Sequence, residues 1–314
     1  MKLKKPSFWD IEKPNITAII LKPFSKLYEI AFKFKKNEKK QFNEIKTICI
    51  GNIYIGGTGK TSLAIKVKEI LDKENISSCF IKKFHKNQKD EQLLLKKYGR
   101  TFIAETRQNA LEKAILEKYE FAIFDDGLQD GSIKYDYSFV CFNKINGVGN
   151  GLTMPAGPLR ENINNLKLYN DIFLNGNDED TSNIKNRLKK INPHLNIYES
   201  KYVTINSDIF NKKEKYLVFS GIGNHKTFIF MLKNENFDIC HDIEFPDHYD
   251  YKKKDLDKIF YIAKEKNLKI LTTEKDYLRL NSLDSKKIHC IKSKLIITDQ
   301  QKINNILRIN NEKN

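Results

Sequence analysis

The 314-residue sequence contains no long apolar run and few cysteines. No stretch approaches the roughly 18 consecutive apolar residues of a membrane-spanning helix, which excludes a polytopic membrane protein. The five cysteines include no Cys-x-x-Cys pair, so neither a disulfide framework nor a structural zinc site is indicated. The basic N-terminus meets Pro6 and Asp10 where a signal peptide would be apolar. These absences predict a protein of the reducing cytosol.

The chain has a surplus of positive charge. Its 56 Lys and Arg residues face 40 Asp and Glu residues, for a net charge of +16, and nearly all of the cations are lysine. Such a surplus favours an acidic partner, for example a nucleotide, a nucleic acid or an anionic lipid. A lysine-rich genome would give the same surplus without any binding role. The distribution is more informative, because residues 1–46 hold twelve lysines against five acidic residues.

Residues 16–34 have the periodicity of an amphipathic helix. At 100° per residue, one arc of about 80° collects apolar side chains, and lysines lie opposite. The apolar residues are Ile16, Ile20, Phe24, Leu27, Ala31 and Phe34, and the lysines are Lys22, Lys26 and Lys33. Pro23 predicts either a kink or a helix that begins near it. Two interpretations stay open, a helix lying in an anionic membrane surface and a first helix packed on the core.

Residues 45–61 have the pattern of a strand, a glycine-rich loop and the start of a helix. The β-branched run 45–50 is followed by Gly56-Gly57-Thr58-Gly59-Lys60-Thr61, and apolar residues then recur at helical spacing. Glycines let backbone N–H groups turn toward phosphate oxygens, and the helix start adds further donors. Lys60 would reach the β and γ phosphates, and the Thr61 hydroxyl would hold Mg²⁺. Tyr54 stands in place of the first glycine of the strict P-loop pattern.

A second apolar run, residues 121–124, ends in Asp125-Asp126. A buried parallel strand that delivers a carboxylate at its C-terminal end is the usual partner of a phosphate loop, where the acid binds Mg²⁺ directly or through water. Asn146 stands where the base-reading Asp of an Asn-Lys-x-Asp motif would be, which disfavours GTP. Ile55 stands where cargo-positioning ATPases carry their signature lysine, which disfavours that class too.

Four further stretches carry residue types that suit catalysis, each with a plainer alternative. Asp90-Glu91 stands at the start of a predicted helix, where a carboxylate often serves only as an N-terminal cap. Arg160, in the rigid turn PAGPLRE, is a candidate bidentate phosphate ligand. Asp247-His248 places an acid beside an imidazole on a loop, a pairing that is usually structural. The stretch TTEKD, residues 272–276, is either a phosphate-facing loop or a polar turn.

Together these motifs resemble one known family, the tetraacyldisaccharide 4′-kinases of lipid A synthesis. Their order and spacing match from about residue 6 to about residue 280. The resemblance implies ATP-dependent phosphorylation of the 4′-hydroxyl of an acylated glucosamine disaccharide 1-phosphate, which gives lipid IVA, at the cytoplasmic face of the inner membrane. It also favours the membrane interpretation of residues 16–34. The motifs are Gly51-Asn52-Ile53 with GGTGKT, Asp125-Asp126-Gly127-Leu128-Gln129, Gly149-Asn150-Gly151 with PAGPLRE, residues 219–223 (FSGIG), Asp247-His248 and TTEKD.

The resemblance also implies roles for individual residues. Asp90 would accept the proton of the sugar hydroxyl, and His248 would orient it. Asp125 and Asp126 would lie on the Mg²⁺ side with Thr61. The residues expected to cradle the ATP phosphates are Gly56, Gly57, Thr58, Gly59, Lys60 and Thr61, and those expected near the phosphates or the lipid headgroup are Arg107, Arg160 and Gln129.

The sequence departs from the family pattern at a few positions. The family usually shows Ser-Arg-Gly-Tyr after its second strand, where this chain has Ile81-Lys82-Lys83-Phe84. Lys82 thus replaces an arginine, and a bidentate contact is lost there. Asp130 replaces the usual histidine after DDG[FL]Q, and Ser62 replaces the usual proline after GGTGKT. None of these changes touches Lys60, Asp90 or His248, so activity stays the expectation.

The order of elements predicts an α/β protein with a P-loop NTPase-like parallel sheet and a second, smaller α/β domain. The expected division is an amphipathic membrane-associating segment over 1–39, a P-loop kinase core over 40–205 and the smaller domain over 206–314. Catalytic candidates in both domains suggest the hypothesis that the domains close around the substrates. We expect a peripheral monomer on an anionic inner-membrane surface, with ATP and Mg²⁺ and without a nucleic acid partner. Two alternatives are a P-loop ATPase that binds nucleic acid and a membrane-bound, non-catalytic ATP sensor.

Overall fold

A computed structural model of the protein describes residues 5–34, 39–86, 88–177, 180–280 and 286–307. These residues form two β-sheets with helices packed against them. The large sheet has eight strands in the order β12-β7-β6-β5-β1-β4-β2-β3, and all neighbours are parallel except β12 and β7. Its strands are β1 (Lys46–Gly51), β2 (Ser78–Lys83), β3 (Thr101–Ala104), β4 (Phe121–Asp125), β5 (Tyr137–Asn143), β6 (Asp171–Asn175), β7 (Asn196–Thr204) and β12 (Ser293–Ile297).

Both faces of the large sheet are covered by helices. Successive side chains of a strand point to opposite faces, so a doubly covered strand is apolar throughout. In β4, Phe121 and Ile123 pack into one buried cluster, and Ala122 and Phe124 pack into another. The first cluster takes residues from α2 (Lys60–Lys73) and α3 (Lys89–Tyr98), and the second from α4 (Arg107–Leu116). The predicted α/β class with a parallel P-loop-like sheet is confirmed.

The small sheet has four parallel strands in the order β11-β10-β8-β9. They are β8 (Lys215–Ser220), β9 (Asp238–Glu244), β10 (Lys269–Thr273) and β11 (Ile288–Ile291). Helix α6 (His225–Asn234) covers one face and α7 (Lys253–Glu265) covers the other. The short helix α8 (Glu274–Tyr277) follows β10 directly, at the carboxyl end of that strand. Helix α5 (Ser182–Ile191) packs beside β6 of the large sheet.

The end of the described chain returns to the large sheet. Strand β12 pairs antiparallel with β7, and Ile303 and Leu307 at α9 (Gln300–Ile306) are buried in the same cluster as Leu63 of α2. The assignment of all of 206–314 to the smaller domain is therefore wrong for this last segment. The short apolar run of residues 295–297 carries no information about which sheet it joins. The division near residue 205 stays a prediction.

Helix α1 (Ile16–Phe34) covers the predicted amphipathic span and runs through Pro23, so of the two alternatives at that proline the helix start is wrong. Ala18 and Ser25 are buried against the protein, whereas the predicted apolar arc faces outward. Phe24 is 57% exposed and Leu27 is 63% exposed. The side chains of Lys33 and Phe34 lie outside the described part. No helix within the described residues has the length and apolarity needed to cross a bilayer.

Candidate active site

The phosphate loop joins β1 to α2 and is held from two sides. Gly59 caps α2 in the left-handed region at φ 82°, where a side chain is strained, and a Cβ there would lie 2.5 Å from the Tyr202 hydroxyl. The Asn52 amide donates to the Thr58 hydroxyl at 2.8 Å, and the Asn175 amide donates to the Thr58 carbonyl at 2.7 Å. The loop is therefore fixed with the N-terminus of a fourteen-residue helix behind it, a geometry that suits phosphate.

Thr61 and Asp125 form the side of the site that suits a metal. The Thr61 hydroxyl donates to Oδ2 of Asp125 at 3.1 Å, and Asp125 is fully buried at the end of β4. Its Oδ1 is buried and has no hydrogen-bond partner among the described residues. An unpaired buried carboxylate oxygen beside a threonine hydroxyl fits Mg²⁺. No group of three or more His, Cys, Asp or Glu side chains in the described ranges forms a metal cluster, so nucleotide oxygens and water would complete the coordination.

The carboxylate of Asp126 pairs with two cations, Lys60 and Arg160. Lys60 Nζ lies 3.7 Å from Oδ1 of Asp126, and Arg160 Nη1 lies 2.8 Å from the same oxygen. Arg160 also donates to the Gln129 side chain at 3.2 Å. Burial alone would raise the pKa of Asp126, but the charges of Lys60 and Arg160 lower the pKa well below its ordinary value. Lys60, Asp126, Arg160 and Gln129 are thus brought together.

Arg107 holds the loop after β4. Its guanidinium donates to Oδ2 of Asp130 at 3.0 Å and to the backbone carbonyl of Asp126. Burial alone would raise the pKa of Asp130, but hydrogen bonds from Ser132 and the Arg107 pair lower that pKa. Asp130, which departs from the family pattern, therefore has a defined partner in this chain. A contact of Arg107 with substrate stays a prediction.

Asp90, in a helix on the large sheet, and His248, in the loop after β9 of the small sheet, are in contact. Asp90 lies in the first turn of α3, and Nδ1 of His248 is 3.0 Å from each of its carboxylate oxygens. His248 stands at φ 55°, and its backbone N–H donates to the Gly221 carbonyl at 3.0 Å. The carboxylate of Asp90 binds side chains of the small-sheet region rather than capping α3. Burial alone would raise the pKa of Asp90, but the bond from His248 and the charges of Lys275 and Arg279 lower the pKa well below its ordinary value.

Comparisons with known proteins agree with the motifs. The family model for tetraacyldisaccharide-1-P 4′-kinase, LpxK, matches residues 17–89 and 81–311. A tetraacyldisaccharide 4′-kinase of Pelagibacter ubique is 58% identical over 314 residues, covering 100% of both chains. One from Rickettsia typhi is 32% identical over 97% of this chain and 98% of its own. The chain belongs to the tetraacyldisaccharide 4′-kinase family. The resemblance inferred from the motifs is confirmed.

A solved structure of LpxK from Aquifex aeolicus, in complex with ATP, shares the fold of this family member. It superposes with a TM-score of 0.68 at 23% sequence identity and covers 94% of this chain and 99% of its own. The fold of the tetraacyldisaccharide 4′-kinases therefore extends across nearly the whole chain.

In this tetraacyldisaccharide 4′-kinase family member, the small sheet touches the phosphate loop directly. A Cβ on Gly57 would lie 2.6 Å from the carbonyl carbon of Gly223, and a Cβ on Gly223 would overlap the backbone nitrogen of Gly57. Only glycine at both positions permits this approach. The FSGIG motif thus packs against GGTGKT.

Sequence reasoning missed several charged residues of the site. Arg279 was not singled out, and Lys275 was assigned to a polar turn or phosphate-facing loop, yet both contact Asp90. Lys82 appeared only as a departure from the family pattern, yet its ammonium lies 2.6 Å from Oδ2 of Asp125 and 2.6 Å from Oε2 of Glu91. The available signal was the scarcity of arginine and the position of TTEKD at the end of a buried strand.

Proposed function

We propose that the chain transfers the γ-phosphoryl group of ATP to the 4′-hydroxyl of tetraacyldisaccharide 1-phosphate and so gives lipid IVA. The observation that carries the proposal is the Asp90–His248 pair beside a phosphate loop. A continuous series of contacts joins the two places: Thr61 to Asp125, Asp125 to Lys82, and Lys82 to Glu91, the neighbour of Asp90.

The phosphate loop binds and orients the nucleotide. Backbone N–H groups of residues 56–61 and the start of α2 would bind the triphosphate, and Lys60 would neutralise its charge. Thr61 and Asp125 would hold Mg²⁺, with Asp126 on the same side, and the ion would supply charge stabilisation to the phosphate oxygens. Arg160 would also contact the triphosphate, since its guanidinium and the Lys60 ammonium pair with the same oxygen, Oδ1 of Asp126.

Asp90 accepts the proton of the sugar hydroxyl as the new P–O bond forms, and His248 holds the carboxylate in position. Phosphoryl transfer passes through a loose transition state, so most of the rate comes from placing the two reactants in line and from stabilising charge. The bond from His248 and the charges of Lys275 and Arg279 hold the pKa of Asp90 low and so favour its ionised form, and with 5% of its surface exposed it is shielded from competing water.

The protein binds peripherally to the cytoplasmic face of the inner membrane as a monomer. Support comes from α1, whose outward face carries Ile16, Ile20, Phe24 and Leu27 with Lys22 and Lys26 exposed nearby. The opposite face is tied to the site. The Ser25 hydroxyl donates to the Thr153 carbonyl at 2.7 Å, and the Tyr28 hydroxyl donates to the Arg160 carbonyl at 2.8 Å.

The test is turnover of purified protein with MgATP and radiolabelled disaccharide 1-phosphate in detergent micelles. Lys60→Ala and Asp90→Ala each remove a residue of the proposed machinery, and we expect each to lower kcat/KM by roughly 100-fold or more. Lys73→Ala, on an exposed position of the same helix as Lys60, and Asp257→Ala, on the exposed side of α7, are the matched controls. Equal turnover by all five proteins, or a wild type without activity, contradicts the proposal.

A further inference from the structure

The motif TTEKD builds a buried polar hub in the small sheet. Asp276, with no exposed surface, accepts hydrogen bonds through Oδ1 from the Gly221 backbone N–H at 2.9 Å, the Tyr251 hydroxyl at 2.8 Å and Arg279 Nη1 at 2.9 Å. Thr273 caps α8 and donates to the other oxygen at 2.6 Å. Both carboxylate oxygens of Asp276 are thus hydrogen-bonded, and a buried network of this kind restricts the groups that it joins. The hub therefore fixes Arg279 relative to the loop that follows β8.

Arg279 extends from this hub to Asp90. Its Nη2 donates to Oδ2 of Asp90 at 2.5 Å, and its Nη1 donates to the Gly221 carbonyl at 2.8 Å. The same carbonyl accepts the backbone N–H of His248. One guanidinium thus joins the backbone that carries His248 to the carboxylate that His248 contacts, and its planar fork fixes the angle between them.

Lys275 is a second cation beside Asp90. Its Nζ lies 3.4 Å from Oδ2 of Asp90, 3.0 Å from Oε1 of Glu91 and 3.9 Å from Oδ1 of Asp247. A single ammonium therefore offsets the repulsion among three neighbouring carboxylates. Without it, Glu91 and Asp247 would push the carboxylate of Asp90 out of its position.

The two oxygens of Asp90 differ in their partners. Oδ2 receives Arg279, Lys275 and His248, whereas Oδ1 has His248 alone among the described residues. A carboxylate oxygen accepts about two hydrogen bonds, so Oδ1 retains the capacity to accept one from an alcohol.

We propose that Arg279 and Lys275 are positioning residues that hold Oδ2 of Asp90, so that Oδ1 faces the acceptor hydroxyl. This inference rests on the proposed function, in which Asp90 accepts the hydroxyl proton. Because the transition state is loose, a fixed and ionised acceptor contributes more than a strongly basic one. The low pKa of Asp90 agrees with this role.

The experiment is a double-mutant cycle in the same radiolabelled assay. It compares Arg279→Gln, Lys275→Met and Asp90→Asn with the two double variants that combine Asp90→Asn with each of the others. Arg100→Gln, whose exposed guanidinium pairs with Glu117, and Lys264→Met, on the exposed side of α7, are the controls. Arg279→Lys tests rescue by a conservative change, and thermal unfolding monitors the fold of every variant.

We expect Arg279→Gln to lower kcat by roughly 10- to 100-fold with little change in the KM for ATP, and Arg279→Lys to recover part of the loss. Each double variant should lose no more activity than Asp90→Asn alone, because both positions act through the same carboxylate. Losses that multiply in the double variants overturn the inference. If Arg279→Gln does not fold, the Lys275 cycle and Arg279→Lys decide by the same criteria. A wild type that is inactive on the disaccharide contradicts the proposed function instead.

Discussion

The backbone of Gly223 lies against the backbone of Gly57, so the two glycine motifs of the chain form one contact. One glycine follows β1 of the large sheet and the other follows β8 of the small sheet. Their contact leaves no room for a Cβ on either residue. Asp247 lies at the same place, because a Cβ on Gly223 would also lie 2.9 Å from its Oδ2. The distance between the phosphate loop and the loop after β8, against which Asp247 lies, is therefore set by a pair of glycines.

Gly223→Ala should separate the two loops and misplace His248 relative to Asp90. A displacement of about 1 Å at a reaction centre costs up to roughly 100-fold in rate, so we expect kcat to fall by about that factor. The measurement is kcat in the micelle assay. Gly99→Ala is the control, since its Cβ would meet mainly the end of the Lys68 side chain and no residue of the site, and it should keep the wild-type kcat. Equal kcat for both variants would show that the contact has no role in catalysis.

Small-angle scattering with and without an ATP analogue tests the related hypothesis of domain closure. A contact as close as Gly57–Gly223 has to open if the nucleotide enters through it, so the two scattering curves should differ. Identical curves count against closure.

Lys82→Met should destabilise the fold. The Lys82 ammonium is buried between Asp125 and Glu91. Burial alone would lower the pKa of Lys82, but the charges of these two carboxylates raise it. Removing the ammonium leaves two buried carboxylates facing each other, a change that typically costs about 3–5 kcal/mol. Urea denaturation measures the loss, with Lys83→Met at the adjacent, half-buried position as the control. Coincident midpoints for the two variants would contradict this account of Lys82.

The contribution of Glu199 to stability should depend on pH. Burial would raise its pKa, but hydrogen bonds from Lys185 and Lys144 lower the pKa of Glu199 to about 2. Because the folded pKa lies below the unfolded one, the unfolded chain binds more protons, and stability is lost as pH falls from about 4.5 toward 2. The difference in melting temperature between wild type and Glu199→Gln should be largest at pH 7, become smaller at pH 3.5 and close only as the pH approaches about 2. Glu265→Gln, on the exposed end of α7, should show no such trend, and a gap for Glu199→Gln that is constant with pH would refute the linkage.

The outward face of α1 should bind anionic vesicles. Phe24 and Leu27 are more than half exposed, and burying such side chains typically gains about 1.5–3 kcal/mol each. The double variant Phe24→Asp/Leu27→Asp should therefore weaken vesicle partitioning at least about ten-fold without lowering the melting temperature. Ile209→Asp is the matched control, because Ile209 is 76% exposed in a 3₁₀ helix far along the chain. Similar partitioning of all three proteins would eliminate α1 as the membrane-binding element.

Local sequence patterns predicted the phosphate loop and the strand that ends in Asp125. The glycines, Lys60 and Thr61 lie within a few residues of each other, and Asp125 follows a run whose two faces are both apolar. The carboxyl ends of neighbouring parallel strands meet at one edge of a sheet, so strand order brings these residues together. The family resemblance, rather than periodicity, supplied the pairing of Asp90 with His248.

Tertiary contacts decided the rest. Arg279 reaches Asp90 only because Asp276 anchors α8 against the loop after β8, and no spacing in the sequence encodes that contact. The partner of β12 could not be read from the sequence either, since the short apolar run of residues 295–297 fits either sheet. Of the two alternatives at Pro23, the helix start near it is wrong, because a proline in a helix costs one hydrogen bond, which neighbouring turns and the contacts of Ala18 and Ser25 outweigh.

The bonds of Ser25 and Tyr28 to the turn that carries Arg160 have a geometric consequence. If α1 lies at a bilayer surface as proposed, its attachment to this turn would set the height of the site above the lipids. A sugar headgroup at that height would then meet the site while its fatty tails stay in the bilayer. Lateral diffusion in the leaflet, rather than extraction from it, would then deliver each new acceptor.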